Sequence, residues 1–226
     1  MGNEWNAIAE SFDETRRHPW RECLDFIAAH DGIGLDIGCG NGRHLVPLAE
    51  QCGTAVGLDS APAMAAVAHK NMQRRGLGNV TVAVADATRL PVASSTADVA
   101  LFIAALHNIS GRRRRIDALR ELHRVLKPDG EALVSVWSKW QDRFRMCSLR
   151  QLLTPWKTAG DIMVPWKKDG MHVERYYHLY GRWELHRELH RAGLHIIQMW
   201  STKKASERHP DNHFAVVRKM GAAARE

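Results

Sequence analysis

The sequence predicts an α/β protein: a doubly wound, mostly parallel sheet of seven strands with an insertion laid over it. Three observations carry this. Short apolar, partly β-branched runs alternate with amphipathic helical runs, the pattern of successive βαβ units. After an irregular stretch the alternation resumes with one more helix and two strands. The length of 226 residues and 45% hydrophobic content suit one domain, residues 1–226, around one packed core.

Residues 1–31 read as two short helices. Trp5, Ile8, Ala9 and Phe12, then Trp20, Leu24, Phe26 and Ile27, stand at helical spacing, with a polar elbow at "TRRH" and Pro19 opening the second run. Residues 32–137 hold the strands "GIGLDIG", "TAVGLDS", "VTVAVADA", "ADVALFIAAL" and "EALVSVW". Between them lie the helical runs "HLVPLAEQC", "APAMAAVAHKNMQRR" and "RRIDALRELHRVL", the last with Ile116, Leu119, Leu122 and Leu126 along one stripe. Residues 138–181 are rich in Trp, Pro and basic groups without clean periodicity, and read as the insertion. Residues 182–219 return to a helix, about 182–192, and the strands "LHIIQMW" and "HFAVVRK". The closing "GAAARE" reads as frayed.

Residues 1–138 carry 15 Lys+Arg against 16 Asp+Glu, a net −1, whereas 139–226 carry 17 against 9, a net +8. Clustered positive charge attracts polyanions, although many proteins are simply basic. Cys23, Cys39, Cys52 and Cys147 have no CxxC spacing, so neither a zinc site nor a disulfide framework is expected. His186 and His190 lack a third ligand and an HExxH pattern, so no metal is expected there either. With no long apolar run and an acidic, polar start, the expectation is a cytoplasmic protein without a membrane span.

The chemistry concentrates at "LDIGCGNGRHL". Gly38, Gly40 and Gly42 follow a buried strand and precede a helix, where a tight turn and close ligand approach exclude a Cβ. Cys39 lies between the first two. Asp36 stands at the loop's entrance, Asp59 ends the next strand, and Asp86 ends the one after. Asp59 can accept both hydroxyls of a ribose, and Asp86 or its neighbouring backbone the amine of an adenine. Three carboxylates would repel a pyrophosphate, so a cationic adenosine compound, S-adenosyl-L-methionine, fits better. Ser60, Ala87 and Ala104 complete the expected cofactor-binding set.

These features resemble the Rossmann-like class I S-adenosylmethionine-dependent methyltransferases over about residues 32–138. A narrower resemblance runs from about Trp5 to Arg218: "WNAIAESFDETRRHPW", "ALHNIS" followed by "RRRR", "VPW" at 164–166, "RYYHLY" at 175–180 and "DN" at 211–212. It points to the tRNA methyltransferases that esterify the carboxymethyl group of wobble uridine. One departure is Asn108, where the family often carries a second histidine. The resemblance implies a tRNA anticodon stem–loop as substrate and a small zinc-ribbon activator protein as partner.

Chemistry alone leaves His107 either a packing histidine or a site residue; the resemblance places it in the site. Arg112, Arg113 and Arg114 open a helix, where the macrodipole disfavours cations, so they read either as RNA contacts or as a solvated face. "ERYYHLY" reads either as a half-buried edge or as a substrate lip on which Tyr176 and His178 stack a base. Lys167 and Lys168 join the expected RNA contacts. Because a carboxymethyl acceptor is already ionised at neutral pH, no general base is needed. Arg16, helped by Arg175, is expected to hold the acceptor carboxylate while His107 and Tyr177 shape the pocket. The alternatives are a small-molecule methyltransferase or a catalytically inactive RNA-binding scaffold.

Overall fold

The computed structural model describes residues 3–147, 159–168 and 170–221. The first expected helix breaks at Ile8, where ψ of 2° leaves the helical range, giving α1 (Asn3–Ala7) and α2 (Ala9–Thr15). The break serves packing: the Ile8 side chain is fully buried in a small cluster with Met64 and Trp166. After the elbow comes α3 (Arg21–Ile27).

The core then runs β1 (Ile33–Ile37), α4 (Leu45–Gln51), β2 (Thr54–Asp59), α5 (Pro62–Arg74), β3 (Val80–Val84), β4 (Ala97–Ile103), α6 (Arg112–Val125) and β5 (Leu126–Trp137). Past the insertion lie α7 (Arg182–Arg191), β8 (His195–Thr202) and β9 (Asn212–Arg218). These build one seven-stranded sheet in the order β3-β2-β1-β4-β5-β9-β8, with β9 antiparallel to both its neighbours. The expected fold class is therefore the observed one.

Alternation along each central strand buries both faces of the sheet. Ala100, Phe102 and Val134 pack with Leu119 and Leu122 of α6, whereas Val99, Leu101 and Leu133 pack with Leu45 and Leu48 of α4 and with Phe214. Strand order reverses at β1, which pairs with β2 on one side and β4 on the other. Open α/β sheets leave a crevice at such a point, beyond the carboxyl ends of the strands. Asp36 lies one residue short of that edge.

The insertion contains two strands that its composition concealed. β6 (Asp161–Trp166) and β7 (Val173–His178) form a separate antiparallel ribbon, with Ile162 opposite Tyr177 and Val164 opposite Arg175. A two-stranded ribbon is marginal alone, and Pro165 is tolerated because each strand keeps a free edge. Tertiary contacts hold it: Trp166 packs into the Ile8 cluster and donates its indole N–H to Ser11 Oγ at 3.1 Å. Residues 148–158 of the insertion and most of "GAAARE" lie outside the described residues. No described helix is long and apolar enough to cross a membrane.

Candidate active site

Beyond β1 the chain turns through Gly38 with φ of +71°. The N–H groups of Gly38 and Cys39 both donate to the Leu58 carbonyl, at 2.7 and 3.0 Å, which clamps the loop onto β2. A Cβ on Gly38 would lie 2.3 Å from that of Ala105, so only glycine fits. Asp59 secures the other side, accepting the Gly40 N–H at Oδ2 and the Ala61 N–H at Oδ1, both at 2.9 Å. The Ser60 N–H bears on the same carboxylate, which still has room among its roughly four acceptor positions for a further donor.

Gly42, expected with the cofactor-binding glycines, is placed differently from the other two. Unlike Gly38, Cys39 and Gly40, it lies off the wall of the main cavity. A Cβ there would meet Met72 Cε at 2.9 Å and Ala68 Cβ at 3.4 Å. Its smallness lets α5 approach the loop, a packing role that its spacing in the motif does not distinguish from ligand contact.

The cavity in the crevice measures about 760 Å³. One end is acidic. Asp36 lies beneath the loop rather than on the wall; burial first, then the neighbouring Asp59 charge, push its carboxyl up to about 7. Its Oδ2 has no hydrogen-bond partner. Ser60, Ala87 and Ala104 line the wall. Asp86 lines it too, but Oδ1 accepts the Thr88 N–H and hydroxyl, and Oδ2 pairs with Arg114 at 2.7 Å. Burial pushes that carboxyl up, yet these partners bring it below the usual range. Arg114, expected as an RNA contact, is thus paired at the acidic end of the cavity and stays half-exposed.

The other end is aromatic and basic. His107 is buried between Trp137 and Tyr177, each ring centroid 5.3 Å away. Its Nδ1 accepts the Trp137 N–H at 2.9 Å, which leaves the proton on Nε2, an atom with no partner. Burial, then the nearby His178, push its pKa down to about 3, so the ring stays neutral. Trp137 stacks on Tyr177 at 4.4 Å and 8°. Arg175 is buried against the faces of Trp5, Trp166 and Tyr177 and donates to the Tyr177 hydroxyl at 2.8 Å. Arg16 and Arg143 also bear on that phenol, and both line the cavity. Arg16, Arg143 and Arg175 have no ion-pair partner among the described residues.

The strand alternation of β7 divides "RYYHLY". Arg175 and Tyr177 face the cavity; Tyr176 and His178 face away. Tyr176 donates its hydroxyl to Asp161 at 2.7 Å, and the buried His178 ring lies between Asp161 at 2.6 Å and Glu184 at 2.9 Å. The enclosed His178 ring offers no face to a base, whereas the Tyr176 ring stays partly exposed; both fasten the ribbon through Asp161. Lys167 and Lys168 both line the cavity, and Lys168 also pairs with Glu14. Arg112 pairs with the fully buried Glu188, and Arg113 is exposed.

Sequence reasoning missed Trp137, Arg143, Trp5 and Trp166 as wall residues. Trp5 read as an ordinary core position of a helix. Trp137 ends a strand, the position that had singled out the aspartates, and that signal could have found it.

A family model described as a methyltransferase domain matches residues 35–134. The chain is 34% identical to a tRNA (carboxymethyluridine(34)-5-O)-methyltransferase of Mus musculus over 61% of its own length and 20% of the relative's. It thus spans about a fifth of the first curated relatives it matches. A putative methyltransferase of Encephalitozoon cuniculi is 33% identical over 78% of each chain. Among solved structures, a putative methyltransferase in complex with the Trm112 methyltransferase activator of Haloferax volcanii shares the fold, with a TM-score of 0.70 and 17% identity over 98% of this chain and 100% of that one.

Proposed function

We propose that this chain, which belongs with the S-adenosylmethionine-dependent methyltransferases, acts as the tRNA carboxymethyluridine relatives are named and methyl-esterifies the carboxymethyl group of a wobble uridine in tRNA. The observation that carries this is the two-sided cavity: carboxylates at one end, and at the other three guanidiniums among aromatic rings with no ion-pair partner among the described residues. The first end suits an adenosyl cation; the second suits an anionic acceptor on a flat ring.

The residues present fit the cofactor. Asp59 has acceptor capacity left for ribose hydroxyls, Gly38 and Gly40 keep the loop free of side chains, and the partnerless Asp36 carboxyl places an acid beneath the site. When bound, S-adenosylmethionine supplies a methyl group on a positively charged sulfur. The chain's own residues then position the acceptor. Arg16 and Arg175 hold one carboxylate oxygen and leave the other free to attack in line. Tyr177 stays a protonated phenol because burial raises its pKa against the pull of the three arginines. His107, neutral, keeps an unpartnered Nε2–H as a donor beside the cavity it lines and takes no part as a base, in keeping with an acceptor of pKa about 4. The stacked Trp137 and Tyr177 rings exclude water from this wall.

For RNA contact the exposed Arg113, the half-exposed Arg112 and Lys167 at the rim remain available. An activator partner is part of the reading, as the resemblance implies and as the Haloferax methyltransferase has in its complex with the Trm112 activator, and its addition is expected to raise activity.

The test incubates the protein with labelled S-adenosylmethionine and tRNA bearing carboxymethyluridine, with and without the activator, and identifies the product nucleoside by mass spectrometry. The expected product is a methyl ester cleaved by mild alkali; label in any other position, or in none, overturns the reading. Arg16→Ala is expected to abolish ester formation with cofactor binding nearly intact, and unchanged turnover would remove Arg16 from the site.

A further inference from the structure

A second cavity, of about 400 Å³, backs onto the first across Asn41 and Arg43, which line both. Its wall takes Arg17 from the "TRRH" elbow, Arg43 from the glycine loop, and Arg74 and Arg75 from the end of α5. Asp13 is the one carboxylate among the described lining residues, and its Oδ1 already accepts Asn41 Nδ2 at 2.8 Å and Asn71 Nδ2 at 2.9 Å. Arg17, Arg74 and Arg75 thus bring three guanidiniums to a groove whose one carboxylate is itself engaged, while the Arg43 guanidinium packs over the Trp20 ring.

The pairing pattern sets this groove apart. On α6, Arg112, Arg114, Arg120 and Arg124 each meet an acid. Arg17, Arg74 and Arg75 are exposed and have no ion-pair partner among the described residues. The helix macrodipole accounts for cations at the end of α5, but not for Arg17, which reaches the same groove from another element. Arg16 and Arg17, consecutive in sequence, line different cavities. Asn41 is buried on the shared wall, and its Oδ1 lacks a donor, which a sugar hydroxyl can supply.

We propose that this groove binds the sugar–phosphate backbone of the RNA strand next to the nucleotide held in the main cavity. A strand whose base passes Arg16 brings its neighbouring phosphodiester to Arg17, Arg74 and Arg75. This rests on the tRNA reading above, and supplies it with a contact surface away from the +8 half of the chain.

The experiment measures binding of a fluorescent anticodon stem–loop bearing carboxymethyluridine, by anisotropy over a series of salt concentrations, for the wild type, Arg17→Ala, and the double variant Arg74→Ala/Arg75→Ala. Each lost phosphate contact is expected to weaken binding about fivefold at 0.1 M salt and to flatten the log K–log salt slope by about 0.7. Lysine at these positions restores the slope, and cofactor affinity, measured by calorimetry, does not change. Wild-type affinity and slope in both alanine variants overturn the proposal, as does a loss confined to inorganic phosphate binding with RNA binding intact. A wild type that binds no RNA overturns it too. If the wild type binds RNA and the variants weaken it, but no methyl ester forms, the groove stands and the esterification reading fails. If the ester forms and the variants bind as wild type, the groove alone fails.

Discussion

Replacing Gly38 and Gly42 separately by alanine divides the glycine loop into a ligand side and a packing side. Both residues have positive φ, +71° and +81°, so each alanine carries about 1–2 kcal/mol of backbone strain. They differ in what the new methyl meets. At position 38 it would lie 2.3 Å from Ala105 Cβ, a short side chain on the turn after β4 that cannot swing aside. Relief requires the loop and that turn to part, at a further cost of about 1–3 kcal/mol, and both border the cavity. At position 42 the nearest atom is the end of the flexible Met72 side chain, 2.9 Å away, which can rotate. Gly38→Ala is therefore expected to lower S-adenosylmethionine affinity at least about tenfold, equivalent to about 1.4 kcal/mol of the distortion appearing in binding. Gly42→Ala is expected to lose about 1–2 kcal/mol of stability with affinity within about threefold of wild type. Titration calorimetry with the cofactor, alongside thermal melts of the free proteins, reads both. Equal losses of affinity in two variants of equal stability would refute the division.

Two further expectations concern buried acids. The Asp36 carboxyl is pushed up to about 7 in the fold, so its stabilising contribution is present below the ordinary carboxylate range and is lost as pH rises through about 7. Asp36→Asn removes that loss: in the cofactor-free protein the wild type should weaken relative to the variant by up to about 4 kcal/mol between acid and neutral pH, and a pH-independent difference in urea unfolding would contradict this. Glu188, fully buried, accepts the Tyr180 hydroxyl at 2.8 Å and faces Arg112 and the buried Arg115. Glu188→Ala strands a buried cation and should cost about 3–5 kcal/mol, a fall of about ten degrees in Tm; a melt within two degrees or so of wild type would show that the network adds little.

The sheet, the loop and the three aspartates were legible because each is written locally. β-branched runs of five to seven residues, glycines at GxGxG spacing and a carboxylate at each strand end need no distant partner to be recognised. The β6–β7 ribbon was not legible, because its strands owe their stability to Ile8 and Ser11, more than 150 residues earlier in the chain. The same distance hid Trp5 and Trp166 as neighbours of Arg175. The Arg114 pairing was hidden for a related reason: a basic run shows its charge, but not that one member meets Asp86 across 28 residues.

The period of two in "RYYHLY" makes the stretch chemically double. A lip exposed to solvent would need its aromatic rings on one accessible face; β7 instead sends Arg175 and Tyr177 inward and sends Tyr176 and His178 outward to Asp161 and Glu184. The outward pair matters to the inward one. A buried guanidinium on a marginal two-stranded ribbon would otherwise be free to leave its aromatic surroundings for water. Asp161 joins β6 to β7, and Glu184 joins the ribbon to α7, which packs on the sheet beside α6. The position of the Arg175 charge relative to the strand-end aspartates is therefore set through the core of the fold, and a change to His178 or Glu184 acts on the cavity without lining it.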